Sequence, residues 1–165
     1  LQVGLGRLYT ISFAAVSCTV AQDLFYCKPA ADKPCVLEAA YVSNVGGTAD
    51  AGDAQEELLR LEIIRLPTTV TVGSGGTAPT IVPININDTA GSFAQRANDT
   101  TVATTSGTSA TLHADGWNVR SGFPWTPPPE HRFPVANASA LVIRLNTAPN
   151  DAILLSGTAY FRELI

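Results

Sequence analysis

Leu58-Leu59-Arg60-Leu61-Glu62-Ile63-Ile64-Arg65-Leu66 is the stretch on which the fold class turns. Asp53 and Glu56 precede it in capping-box spacing, so a helix starting there is the first alternative. A helix, however, places Arg65 in line with Leu58 and Leu61 and puts a charge in the apolar stripe. An extended chain puts Leu59, Leu61 and Ile63 on one face, with Arg60, Glu62 and Ile64 on the other. The alternation predicts a strand.

Read outward from there, the same period of two recurs. Leu8-Tyr9-Thr10-Ile11-Ser12-Phe13-Ala14-Ala15-Val16 sets Tyr9, Ile11 and Phe13 on one face. Residues 35–45, 68–72, 110–114, 117–120, 140–145 and 153–164 also read as strands, rich in β-branched and aromatic residues and bounded by Gly, Pro, Asn or Asp. About seven to nine strands without alternating helices predict an all-β fold, an antiparallel β-sandwich or jelly-roll-like single domain over residues 1–165. The aliphatic first and last strands are expected to meet in one sheet. Gly73-Ser74-Gly75-Gly76 interrupts the pattern, and the Thr/Asn-rich passage after it has little periodicity. Residues 73–109 are therefore expected to form an extended loop or arm.

Composition agrees with strands and turns. The chain has 165 residues, only 15% of them charged, and a formal net charge of -4. An ordinary soluble domain carries roughly 25% charged residues. The ten basic residues are scattered, which argues against nucleic-acid binding, since neutralising phosphates takes concentrated positive charge. No apolar run approaches the roughly 20 residues of a membrane span, so no membrane role is expected.

Chemistry-bearing residues are sparse. The acidic group Asp50, Asp53, Glu56 and Glu57 lacks EF-hand spacing and reads as a solvated loop. Gly73-Ser74-Gly75-Gly76 lacks the Lys-Ser/Thr of a phosphate-binding loop. His113 and Asp115 fall on one side of an extended segment, without the nucleophile elbow of a hydrolase. No catalytic residue, cofactor or metal ligand is assigned, and the protein is not expected to be an enzyme. Cys18, Cys27 and Cys35 are too few to pair completely. Three buried thiols acting as small hydrophobes are one reading; Cys27 with Cys35 is the candidate disulfide, because Pro29, Asp32, Lys33 and Pro34 suggest a turn between them. Trp117, Arg120, Phe123, Trp125 and Arg132 gather in a proline-rich corner. Such residues anchor protein interfaces, so they are the candidate docking set, with core packing as the alternative and sugar binding as a third.

The segments 6–13, 21–25 (Ala-Gln-Asp-Leu-Phe), 52–57 (Gly-Asp-Ala-Gln-Glu-Glu), 112–120 (Leu-His-Ala-Asp-Gly-Trp-Asn-Val-Arg) and 155–161 (Leu-Ser-Gly-Thr-Ala-Tyr-Phe) together resemble a group of small, mostly uncharacterised virion proteins of tailed bacteriophages and prophages. The resemblance covers most of the chain and carries no catalytic motif. It implies a structural protein of the virion: a capsid decoration or cement protein on the capsid surface, assembled in the host cytoplasm and partnered with the major capsid protein of a phage shell. A homo-oligomer is expected, with a trimer favoured because closed three-fold symmetry suits local three-fold positions on an icosahedral shell. A tail or fibre component, or a carbohydrate-binding jelly-roll module, is the alternative.

Overall fold

The computed structural model describes residues 6–46 and 57–164. Along them run β1 (Arg7–Cys18), β2 (Gln22–Lys28), β3 (Cys35–Asn44), β4 (Leu58–Leu66), β5 (Val70–Thr71), β6 (Val82–Pro83), β7 (Ala94–Asp99), β8 (Thr104–Thr105), β9 (Ala110–Asn118), β10 (Phe123–Trp125), β11 (Phe133–Val135), β12 (Ala140–Leu145) and β13 (Ile153–Glu163). A single 3-10 turn, Pro129–His131, lies between β10 and β11. Two antiparallel sheets pack face to face as a sandwich. The first has six strands in the order β10-β3-β13-β1-β6, with β11 also on β3; the second has five, in the order β7-β2-β12-β4-β9.

The deciding stretch is β4, paired with β12 on one side and β9 on the other. Leu59, Leu61 and Ile63 are buried in the core between the sheets with Tyr9, Ile11, Phe25, Leu37, Trp117, Leu155 and Phe161. Each such side chain contributes roughly 1.5–3 kcal/mol by leaving water. First and last strands do meet: β1 runs antiparallel to β13 from Arg7 opposite Glu163 to Cys18 opposite Ile153. The register breaks between Phe13 and Val16, where Ala15 takes a φ of 50° and its N–H donates to Ser156 Oγ at 2.9 Å. Beyond Thr10 nothing pairs with the outer edge of β1 among the described residues, because β6 covers only Tyr9 and Thr10.

The second sheet is covered on both sides. Tyr26, Ile64, Leu66, Ala140 and Val142 are buried on its outer face, with Ala103 above them and Val70 packed alongside. The cover comes from the passage expected to be an arm. β5 and β8 pair with each other, Ser74 bridges Thr101, and Thr77 bridges Ala97. Residues 94–99 are β7, an edge strand paired with β2. The expectation of an extended arm over 73–109 is thus corrected: much of the passage folds back onto the sandwich. Polar contacts hold it there. Arg144 Nε donates to Asp23 Oδ1 at 2.5 Å, the Ala103 N–H to Asp23 Oδ2 at 2.7 Å, Arg96 Nε to Asp99 Oδ2 at 2.7 Å, and the Gly76 N–H to Asp99 Oδ1 at 3.0 Å. Asp23 and Asp99 are each 1% exposed. Burial raises the Asp23 pKa, and the Arg144 guanidinium pulls it back. Gly76 is required at its position, since a Cβ there would sit 2.1 Å from the Ala97 carbonyl oxygen.

All three cysteines are buried and free. They stand as buried thiols and the candidate Cys27–Cys35 disulfide is not formed in this structure, although a tight turn with an Ala30–Lys33 bridge joins the two residues and both lie in the same core. Asp50, Asp53 and Glu56, with the capping box they suggested, lie outside the described residues.

Candidate functional site

β9 is an edge of the second sheet, whereas β10 and β11 both pair with β3 in the first. The chain from Val119 to Phe133 therefore crosses between the sheets at the open side of the sandwich. Prolines suit this route: Pro124 and Pro134 sit on short edge strands, and Pro129 starts the 3-10 turn where a missing N–H costs nothing. Between β9 and the crossing lies an open cleft of about 710 Å³. It is lined by His113, Asp115, Trp125, Glu130, His131 and Arg132, among others. Both histidines of the chain thus converge on one cleft from segments far apart in sequence.

The walls are largely fixed. Trp125 stacks on Phe133 with ring centroids 5.1 Å apart, and His113 stands 6.3 Å from Trp125 and 6.5 Å from Phe123. His113 Nε2 lies 3.9 Å from Asp115 Oδ2, the two side chains being partly exposed on the same side of β9. Arg132 is held through Nη1 by Glu38 Oε2, and Arg162 Nε reaches Glu38 Oε1 at 2.6 Å. Arg132 Nε is buried without a hydrogen-bond acceptor among the described residues. The cleft offers an aromatic floor, donors from Arg132 and the histidines, and acceptors from Asp115 and Glu130. That is a set suited to holding a neutral polar ligand. Among the described residues no group of three or more His, Cys, Asp or Glu is placed to hold a metal ion.

The predicted docking set is brought together but turned inward. Trp117 is 2% exposed, and Phe123 and Trp125 are 6% exposed each, so their rings belong to the core. Trp117 Nε1 donates to the Ser121 carbonyl at 2.7 Å, which satisfies its one polar atom inside. Arg132 is spent on Glu38. Arg120 alone of the set is exposed, its N–H donating to Asn118 Oδ1 at 3.0 Å. The corner is the wall of the cleft and the closure of the core, and it is not an exposed anchor patch.

No protein-family model matches the chain, and no curated protein does. Among solved structures it is similar to the VP2 protein of infectious bursal disease virus. The D431N mutant in T=1 particles is 18% identical with a TM-score of 0.18, and the match covers 98% of this chain and 41% of that one. A second T=1 particle structure gives 17% identity, 98% and 40% coverage, and a TM-score of 0.19. The chain thus spans about two fifths of the capsid chains it matches. No described helix is long and apolar enough to cross a membrane.

One surface escaped the sequence reading. The outer face of the six-stranded sheet is built of cross-strand rows that the register defines. Val82 lies beside Thr10, Thr10 beside Tyr160, and Tyr160 beside Ala39. The next row runs Ser12, Thr158, Tyr41, Pro124, and another runs Leu8, Arg162, Val36, Pro134. Tyr41 is 42% exposed and Val82 48%, and Tyr41 meets Tyr160 edge-on at 6.1 Å. The charges at this face, Glu38, Arg132 and Arg162, are paired with one another. The face is flat, neutral and mixed in polarity. Its signal in the sequence is the residues between the core positions: Thr, Ser, Ala and Tyr where a solvated strand would carry Lys or Glu.

Proposed function

We propose that the chain is a non-enzymatic structural subunit of a phage virion, a capsid decoration protein that associates with copies of itself, as a trimer, and docks on the major capsid protein. The observation that carries this reading is the uncovered outer face of the six-stranded sheet. A surface that will be buried against another protein is depleted in free charge and keeps tyrosines, because each charge taken from water needs a partner. Leu8, Thr10, Tyr41, Thr158 and Tyr160 satisfy that description, while the opposite outer face is already covered by the chain itself. The resemblance to virion proteins of tailed phages supports the same reading, as does the all-β sandwich. In this reading the protein sits on the outside of the capsid.

The test is mass by light scattering together with mixing against undecorated capsids. The expected result is a defined oligomer that sediments with the shells, and loss of both properties in Tyr41→Lys/Thr158→Lys. A strict monomer that leaves the capsids bare overturns the proposal.

A second reading rests on the cleft. Its aromatic floor with Asp115, Glu130, His131 and Arg132 around it suits a saccharide, as in a fibre or lectin-type module. A glycan array run on the wild type and on Asp115→Ala/Glu130→Ala decides it: retention of one glycan class by the wild type alone supports the reading, and no retention removes it. Trp125→Ala is the wrong control, because that ring is core.

A further inference from the structure

The chain changes sheets between β2 and β3, and it does so abruptly. Pro29 and Pro34 bracket the link, and a tight turn closes it, with Ala30 and Lys33 forming an antiparallel bridge and the Lys33 N–H donating to the Ala30 carbonyl at 3.4 Å. Cys27 sits at the end of β2, beside Leu141 and Gln95 in the second sheet. Cys35 opens β3, beside Glu163 and Val135 in the first. Both belong to the central core and both are 0% exposed. The Cys35 thiol reaches back over the turn to the Lys33 carbonyl at 3.9 Å, and both thiols lie in the one buried core between the sheets. Cys18, equally buried, is engaged elsewhere, its thiol donating to the Val20 carbonyl at 3.4 Å.

We propose that Cys27 and Cys35 are an oxidisable pair, joined by a small disulfide oxidant during folding or local opening into a bond that staples the two sheets at the crossing. The fold sets up the selectivity: of the three pairings available to three cysteines, only this one joins two core thiols at the two ends of one tight turn, while the Cys18 thiol is turned to the Val20 carbonyl. The step balances as thiol–disulfide exchange. One cysteine thiolate attacks an external disulfide RSSR, forming a mixed disulfide and releasing RS⁻. The second cysteine thiolate then attacks the sulfur of the first and expels another RS⁻. The oxidant becomes two RSH, and the protein loses two hydrogens. Burial first, then the neighbouring Cys35 and the charge of Glu163, hold the Cys27 thiol well above its ordinary range. The closed protein is therefore slow to react, and the bond, once made, is shielded from reductants by the same burial. A short loop is closed, so the stabilisation corresponds to a rise in Tm of about 5–10 °C for a domain of this size.

The experiment refolds the urea-denatured full chain in oxidised and reduced glutathione and maps disulfides by non-reducing peptide mass spectrometry. The expected product is a Cys27–Cys35 bond, with Cys18 left as a thiol and a Tm above that of the protein refolded under reducing conditions. Cys18→Ser keeps the Tm difference between the two preparations, and Cys27→Ser loses it. Bonds that involve Cys18 to a comparable extent, absence of any bond, or a bond without a rise in Tm overturns the proposal. The comparison of oxidised with reduced wild type needs no variant to fold.

Discussion

The two outer faces of this sandwich are finished in opposite ways. Over the five-stranded sheet the chain lays its own cover, so that β2 and β12 are buried almost continuously along their length. Over the six-stranded sheet nothing among the described residues is laid, and β13 alternates strictly between buried and half-exposed positions. The covered face holds charges, Asp23 with Arg144 and Asp99 with Arg96, each matched inside the protein. The bare face holds almost none that is not paired to its neighbour. A face finished by its own chain can use fixed ion pairs as pins, because the partner is always present. A face that meets a separate molecule gains from being neutral, because it is also exposed to water alone.

Breaking the pins should be the costliest change. Asp23→Ala leaves the Arg144 guanidinium, 15% exposed in its side chain, without its carboxylate, and removal of one partner of a buried pair costs about 3–5 kcal/mol. Urea unfolding measures it; a loss under about 1 kcal/mol would mean that the cover is held by other contacts. Alkaline titration tests the interior both faces share. Burial pushes the Cys18 thiol up to about 11, against 9.0 for an ordinary thiol. The folded form therefore keeps its proton where the unfolded chain has lost it, and stability complete below pH 9 declines as pH rises toward 11, by up to about 3 kcal/mol. Cys18→Ala should flatten this alkaline limb in part, the remainder coming from Cys27, which is shifted the same way. Gly76→Ala forces a methyl group against the Ala97 carbonyl and should cost about 1–3 kcal/mol, with faster proteolysis between Thr68 and Thr105 as the local sign that the cover has lifted. On the bare face Tyr41→Lys should change monomer stability by less than about 0.5 kcal/mol while abolishing self-association. A loss as large as that of Asp23→Ala would show that Tyr41 serves the fold instead.

The legible part of the fold is the part with one wet face. β1, β3 and β13 alternate, as does β4 up to Ile63 before the cover buries Ile64 and Leu66, and the alternation survives in the sequence because water selects every second residue. β2 was not legible as a strand: Asp23-Leu24-Phe25-Tyr26-Cys27 is buried on both faces, so no period remains, and Asp23 resembles a surface residue because its partner lies at position 144. The same holds for β7, where Asn98 and Asp99 are buried against Gln22 and Gly76. The tryptophans misled for a related reason. An aromatic beside prolines reads equally as an anchor or as core, and only the crossing between the two sheet edges decides that Trp117 and Trp125 point inward. The cleft needed both ends of that crossing, so His113 and His131 could not be joined from sequence.

The interruption of β1 at Ala15 limits how such molecules can gather. A long, unpaired strand edge invites a second chain to add on and a third to follow, which is the route to filaments. Here the free part of the edge is bent by a bulge, and the Ala15 N–H is already given to Ser156, so the ladder cannot be extended past that point by simple addition. Templating along the β1 edge is blocked at that point, whereas β9 keeps an edge of its own. A face contact, by contrast, closes into a small counted set wherever its symmetry operation closes.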